Sequence, residues 1–468
     1  MQIRFPGKGD RLSPFSLPCI LSGVTPNRLI LLALAMLPAA AQTPLTLREA
    51  VRIALEKHPS IEAAAAQTRA AESRIDQARA GYLPRVDYTE SVQRSNNPVF
   101  VFGTLLTQRR FSQSNFALDS LNRPDFLNNF QSQVSLDQTI YDFGATRAGV
   151  RSAELSRQIT SENERMARMG RIAQVARLYH GAVLGAESLE VARKSVASAE
   201  ADLARAEAVR AAGMSTDADV LSIQVHLAAA REREITRRHE LDVARAALND
   251  ALGLPLSNAH TLTTPLAELA STSDPTALES AALSHRPEAR QTGLATQQAE
   301  AQSQAARAAL YPKIVARAAI EADRGRFATQ AGANWFFSAG LRWNLFNGNA
   351  DRARIDEASH AASATRASRR EVESAVQLQV RQAAAALESA RERIRVAEAA
   401  VSQAEESLRI TRNRYEAGLA TVTDLLRNET ALMESRTRRL AAVYDSRVAA
   451  VMLELAAGTL SGDNDVLQ

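Results

Sequence analysis

The chain has 468 residues, with 56 Lys and Arg against 52 Asp and Glu and only 5% aromatic residues. Four of the basic residues and one acidic residue fall in the first 41 positions, so the remainder is close to neutral and gives no electrostatic case for a nucleic-acid partner. Past position 41 there is no cysteine and no apolar run long enough for a transmembrane helix. Disulfides and thiolate chemistry are thereby excluded, and a closed β-barrel is the one route left into a bilayer.

Residues 1–41 read as a secretory leader. Arg28 precedes the apolar run Leu29 to Leu37, and Ala39, Ala40 and Ala41 offer a small-residue cleavage site before Gln42. Cys19 lies upstream of that run and behind Pro18, which is not the setting of a lipid-acceptor cysteine.

The rest of the chain is written twice. Pro59 and Pro84 recur 228 residues later as Pro287 and Pro312. Tyr141, Gly213, Asp219 and Gly253 recur 205 residues later as Phe346, Gly418, Asp424 and Gly458. The offset falls once, by 23 residues, so the first copy carries an insertion of that size between Pro84 and Tyr141. The expected organisation is a first repeat over 42–253, a Pro/Ser/Thr-rich linker over 254–275, a second repeat over 276–460 and a tail over 461–468.

Within each copy a helix-like stretch runs to the Tyr/Pro turn at Pro84 or Pro312, and strands follow. Val86 and Tyr88 open the first strand, and Val134, Leu136 and Ile140 alternate with polar residues in the second. In the second copy Ile314 to Ala322 alternate at even positions. From Trp335 to Leu345 every odd position is apolar, which predicts a strand over that whole range. Four strands of about ten residues suit either a tilted membrane strand or the half-buried sheet of a soluble protein, and since four cannot enclose a pore, a channel would require several chains to share one barrel.

Long helices follow over 145–212 and 350–417, with no proline between Pro124 and Pro255 or after Pro312. Leu189, Ala192, Val196, Ala199, Leu203 and Ala206 form a heptad seam. It is repeated at Ile394, Ala397, Val401, Ala404, Leu408 and Thr411, predicting antiparallel coiled coils with 216–252 and 421–457. The tips between them carry Gly213 and Gly418 at helix ends, and Thr216 and Thr421 three residues ahead of Asp219 and Asp424, the pattern of a capping box. The same carboxylates, if they face a lumen, would make an acidic gate.

These features together resemble the TolC-like outer-membrane efflux proteins. The resemblance rests on Leu45-Thr-Leu-Arg-Glu-Ala50 after a leader, the duplicated turns at Pro84 and Pro312, Tyr141-Asp-Phe-Gly144 with Phe346-Asn-Gly348, and above all Tyr415-Glu-Ala-Gly-Leu-Ala-Thr-Val-Thr-Asp-Leu-Leu426. It implies a mainly α fold with a small β part, in which a homotrimer shares a long α-helical barrel and a twelve-stranded membrane β-barrel in outer-membrane lipid. It further implies a passive exit duct for tripartite efflux or type I secretion, served by a periplasmic adaptor and an inner-membrane pump. Asp219, Asp424 and Tyr415 match the family's periplasmic gate, whereas Ala420 and Arg427 depart from it, and Arg427 is placed to pair with Asp424. Gly213, Met214, Gly418 and Leu419 match its adaptor-docking tips.

Nothing points to catalysis. The chain has no Gly-x-Gly-x-x-Gly and no phosphate loop, and its seven histidines (His58, His180, His226, His239, His260, His285 and His360) show no metal-ligand spacing and read as solvated. No cofactor or metal is expected. The competing reading is a periplasmic coiled-coil adaptor without a pore, which would leave the four amphipathic strands without a purpose.

Overall fold

The computed structural model describes residues 43–268, 275–328 and 331–468. The leader expected over 1–41 lies outside the described residues. From the first of them, β1 (Thr43–Leu45) leads into α1 (Leu47–Lys57) and α2 (Pro59–Arg79). The two helices are separate because the residue before Pro59 is driven out of the helical region; His58 sits at φ −76 and ψ 128 and caps α2 with its ring. Then come β2 (Arg85–Ser95), the insert with α3 (Pro98–Thr107) and α4 (Leu118–Asn122), and β3 (Leu127–Tyr141). The long α5 (Ala145–Ala211) and the return helix α6 (Asp217–Leu252) complete the first copy, and β4 (His260–Leu262) follows.

The second copy repeats this order: α7 (Pro275–His285), α8 (Pro287–Ala308), β5 (Lys313–Arg324), β6 (Gly332–Arg342), α9 (Ala350–Glu416) and α10 (Val422–Ala457). Both long helices have 67 residues and both return helices 36. At 1.5 Å per residue, 67 residues span about 100 Å.

The strands form one antiparallel sheet in the order β2-β3-β5-β6. Its register aligns Tyr88, Val134, Ile320 and Trp335 in one row, and Val86, Leu136, Ala318 and Phe337 in the next row on the same face. All of these side chains but the half-buried Ala318 stand exposed, Tyr88 at 67% and Trp335 at 78%. The opposite face carries Thr89, Gln133, Glu321 and Asn334 in one row and Arg85, Asp137, Arg317 and Ser338 in another. Here the polar residues Asn129, Ser135 and Asp323 are the buried ones. The sheet is thus inside out relative to a water-soluble one. Strand β6 ends at Arg342, so the alternation read through to Leu345 overshoots it. Trp343 turns away from the strand and donates its indole N–H to the carbonyl of Leu310 at 3.0 Å.

The helices pack as antiparallel pairs, α5 with α6 and α9 with α10, while α2 and α8 lie along the strand-proximal parts of the long helices. The seam of α5 is buried as its heptads require, with Ala199 and Ala206 at 0 and 1% exposure, small enough for close helix contact.

A larger core gathers at mid-length, where α1, α5, α6, α9 and α10 meet around the fully buried Tyr179. Its hydroxyl donates to the carbonyl of Leu45 at 2.7 Å and accepts the N–H groups of Thr263 and Thr264, each at 3.0 Å. The stretch read as a linker is therefore in part a structural element: β4 pairs in parallel with β1, and Thr264 is buried against α1. The C-terminal tail also packs inward through Val466 and Leu467. His180, expected to be solvated, is fully buried here. Burial, and then the charge of Arg447, push its imidazole down to about 3.

Replacing Tyr179 by Phe removes three hydrogen bonds at once and leaves the buried amide of Thr264 without an acceptor, while the amide of Thr263 keeps the carbonyl of Leu45 at 3.1 Å. A loss of about 2–3 kcal/mol is expected, read as a lower midpoint of thermal unfolding of the purified protein. An unchanged midpoint would mean that the strand pair β1–β4 does not hold this core together.

Candidate functional site

At the end of each long helix the chain reverses through five residues, built alike in the two copies. Gly213 and Gly418 take left-handed φ values of +79 and +73. This lets the amides of Gly213 and Met214 donate to the carbonyls of Arg210 (2.8 Å) and Val209 (3.1 Å), closing the last turn of α5. In α9 the amides of Gly418 and Leu419 reach Tyr415 (3.0 Å) and Arg414 (2.7 Å) in the same way. A hydrophobic residue after such a glycine usually folds back onto its own helix. Met214 and Leu419 instead remain 74% and 69% exposed.

Each return helix then starts with a capping box. Thr216 Oγ1 accepts from the amide of Asp219 at 3.2 Å, and Asp219 accepts from the amide of Thr216 at 3.3 Å. Thr421 and Asp424 repeat the exchange at 3.2 Å in both directions. The Thr216 hydroxyl holds the Asp219 carboxyl below its ordinary range. The Thr421 hydroxyl does so for Asp424, helped by the charges of Arg427 and Arg414. Arg427 acts on Asp424 through its charge and forms no ion pair with it within 4 Å.

The two tips are joined. Val422 of the second packs among Ala206, Val220 and Ile223 of the first, and Arg205 reaches Glu416 at 3.0 Å. Between them lies a groove of about 690 Å³ lined by Arg205, Val209, Met214, Asp219, Tyr415 and Gly418. The structure thus brings Asp219, Tyr415, Met214 and Gly418 together, while Gly213, Leu419, Asp424 and Arg427 lie outside the groove. Burial, followed by the charge of Asp219, raises the Tyr415 phenol.

Behind the groove is a buried ionic cluster that the sequence reading missed, with a group from each of the four helices. Arg412 of α9 reaches Glu429 of α10 at 2.7 Å and Asp202 of α5 at 3.6 Å, and His226 of α6 lies 3.5 Å from Glu429. Ser198 donates to Glu429 at 2.8 Å, and Arg205 stands 3.6 Å from Asp202. Asp202 and Glu429 are only 4% and 7% exposed. Burial, and then the nearby Glu429, push the Asp202 carboxyl up. Burial alone would raise Glu429 too, but hydrogen bonding with His226, Asp202 and Ser198 and the charge of Arg412 hold it down. One signal was available: Glu429 sits on the buried stripe Val422, Leu425, Leu432, where the heptad calls for an apolar side chain.

A sheet that turns its greasy face outward and runs into helices of about 100 Å defines a subunit of an outer-membrane channel. Comparison with known proteins agrees. A family model described as "Outer membrane efflux protein" matches residues 50–254 and 278–459, and the chain belongs to that family. It is 26% identical over 320 residues to the pyoverdine export outer membrane protein OpmQ of Pseudomonas putida, a match spanning 68% of this chain and 64% of that one. It is 27% identical to the alkaline protease secretion protein AprF of Pseudomonas aeruginosa, over 89% of this chain and 85% of that one. Among solved structures it superposes on the outer membrane protein VceC of Vibrio cholerae with a TM-score of 0.73 at 19% identity, covering 88% and 96% of the two chains.

The ionic cluster predicts a pH response. A carboxyl whose value rises on folding contributes stability that is complete below its unfolded value, near 3.8, and is lost as pH climbs through its folded value of about 7. Glu429 moves the other way and changes nothing until far lower pH. Hydrogen exchange in 198–206 and 408–416, corrected for intrinsic rates, should therefore quicken severalfold between pH 6 and pH 8. Asp202→Asn should abolish the difference; if it persists in that variant, Asp202 is not its source.

Proposed function

We propose that three copies of this chain assemble into a passive exit duct through the outer membrane and periplasm, receiving cargo from an inner-membrane pump through a periplasmic adaptor. The observation that carries the reading is the inside-out sheet with both edge strands, β2 and β6, unpaired. Bare strand edges cannot persist in hydrocarbon. Four strands per chain keep an all-antiparallel order when copies join edge to edge, because β2 and β6 run in opposite directions. A non-pore adaptor would have no use for such a sheet. Cross-linking of outer-membrane fractions should give a trimer, and a soluble periplasmic monomer would overturn the reading.

Met214 and Leu419, exposed beside helix-ending glycines, suit adaptor docking. At Gly418 an added Cβ would meet nothing within 4 Å, so Gly418→Glu strains the turn through its φ of +73 without a clash. Export should fall sharply while the trimer still forms. If docking lies elsewhere, export will be unchanged.

Asp219 and Asp424, held ionised by their caps, would place six negative charges at the narrow end of a trimer and favour cations. Asp219→Asn with Asp424→Asn keeps an acceptor for each cap. It should lower cation selectivity severalfold in planar-bilayer recordings, whereas unchanged selectivity in open trimers would confine both residues to capping.

A further inference from the structure

The insert of the first copy is docked on the sheet. Gln108, at the end of α3, donates to the carbonyl of Asn128 at 2.9 Å and to Asn129 Oδ1 at 3.0 Å; Asn129 in turn donates to Asp323 at 2.6 Å. All three side chains are buried. Arg109 donates to the carbonyl of Ala333 at 3.0 Å. A Cβ at Gly332 would lie 1.8 Å from the carbonyl oxygen of Thr107, so that strand position accepts only glycine while the insert is seated. Asn129, Asp323 and Gly332 belong to the polar face of the sheet. The insert therefore lies across the polar face, at the end of the strands remote from the long helices.

α3 is itself a well-specified helix. Asn97 caps it through the amides of Val99 and Phe100, Pro98 starts it, and Phe102 meets Phe111 edge to face at 5.0 Å. Its outward stripe is apolar: Val99, Phe102 and Leu106 follow one another at helical spacing, with exposures of 82, 38 and 49%. In a barrel that turns its greasy face to lipid, the polar face lines the lumen. This stripe would then point at water on the barrel axis.

We propose that the α3 helices of three copies meet on that axis and close the outer mouth of the barrel as a hydrophobic gate. The inference rests on the trimeric duct proposed above. Dimensions favour a second and third copy as the occupants of the stripe. Twelve strands about 4.8 Å apart and tilted by about 40° give a backbone radius of about 12 Å. Three helices of about 10 Å diameter on the inner wall nearly fill such a bore. Apolar side chains converging there exclude water and ions until cargo or an outward swing of the insert parts them.

The test uses the full-length protein with Cys19 replaced by Ser. Under a mild oxidant, Leu106→Cys should give a disulfide-linked dimer on a non-reducing gel, while Val92→Cys on the outward face gives none. A trimer retained under chemical cross-linking without the Leu106→Cys dimer would sink the gate and spare the duct; loss of the trimer would sink both. As an independent check, Gly332→Val should unseat the insert, and Val99→Ser with Phe102→Ser and Leu106→Ser should wet it. Each should raise bilayer conductance severalfold in channels whose inner end is open, and unchanged conductance in both would overturn the proposal.

Discussion

The whole structure follows from a sheet that cannot be satisfied alone. Tyr88, Val134, Ile320 and Trp335 form a continuous apolar row on an exposed surface, and among the described residues β2 and β6 each pair with no strand on their outer side. In water this would be an aggregation hazard. In a bilayer the same face is favourable, and the unpaired edges become a demand for further copies. The polar face tolerates its charge because its groups are paired: Asn129 donates to Asp323 and Gln131 to Glu321 across it.

The duplication meets this demand economically. Each copy supplies one hairpin, one long helix and one return helix, and the two are stitched together at three levels: β3 pairs with β5, β1 with β4, and Val422 packs into the first tip. The copies differ where each has been specialised. The first carries the insert across the sheet. The second supplies Arg412 and Glu429 to the buried cluster, which ties all four helices together behind the tips.

Much of this was legible in the sequence. The repeat offsets, the heptad seam and the period-two alternation each follow from local rules of helix and strand, and the capping boxes need only three residues of spacing. The end of β6 was misjudged because Trp343 and Leu345 continue the apolar alternation although the backbone has already left the ladder. The cluster escaped because α5 has two packing surfaces: the seam against α6 is periodic and apolar, while Asp202, next to Leu203, faces α9 and α10. His180 and the β4 segment escaped for a similar reason, since the one is buried and the other paired by elements far away in the chain, which no local pattern reports.

One feature of the long helices bears on how the molecule transmits force. α5 and α9 run unbroken from strand to tip, without proline and with their hydrogen-bond ladders intact. Such a rod is stiff in torsion, so a twist applied at Met214 or Leu419 is not absorbed along its length. It travels to the residues that join rod to sheet, Gly144 and Asn349, both held in the left-handed conformation where the helix begins. With Phe143 and Gly348 beside them, also left-handed, these are the positions where the helical ladder stops and the strand begins, so a rotation of either rod against the sheet would have to be taken up there.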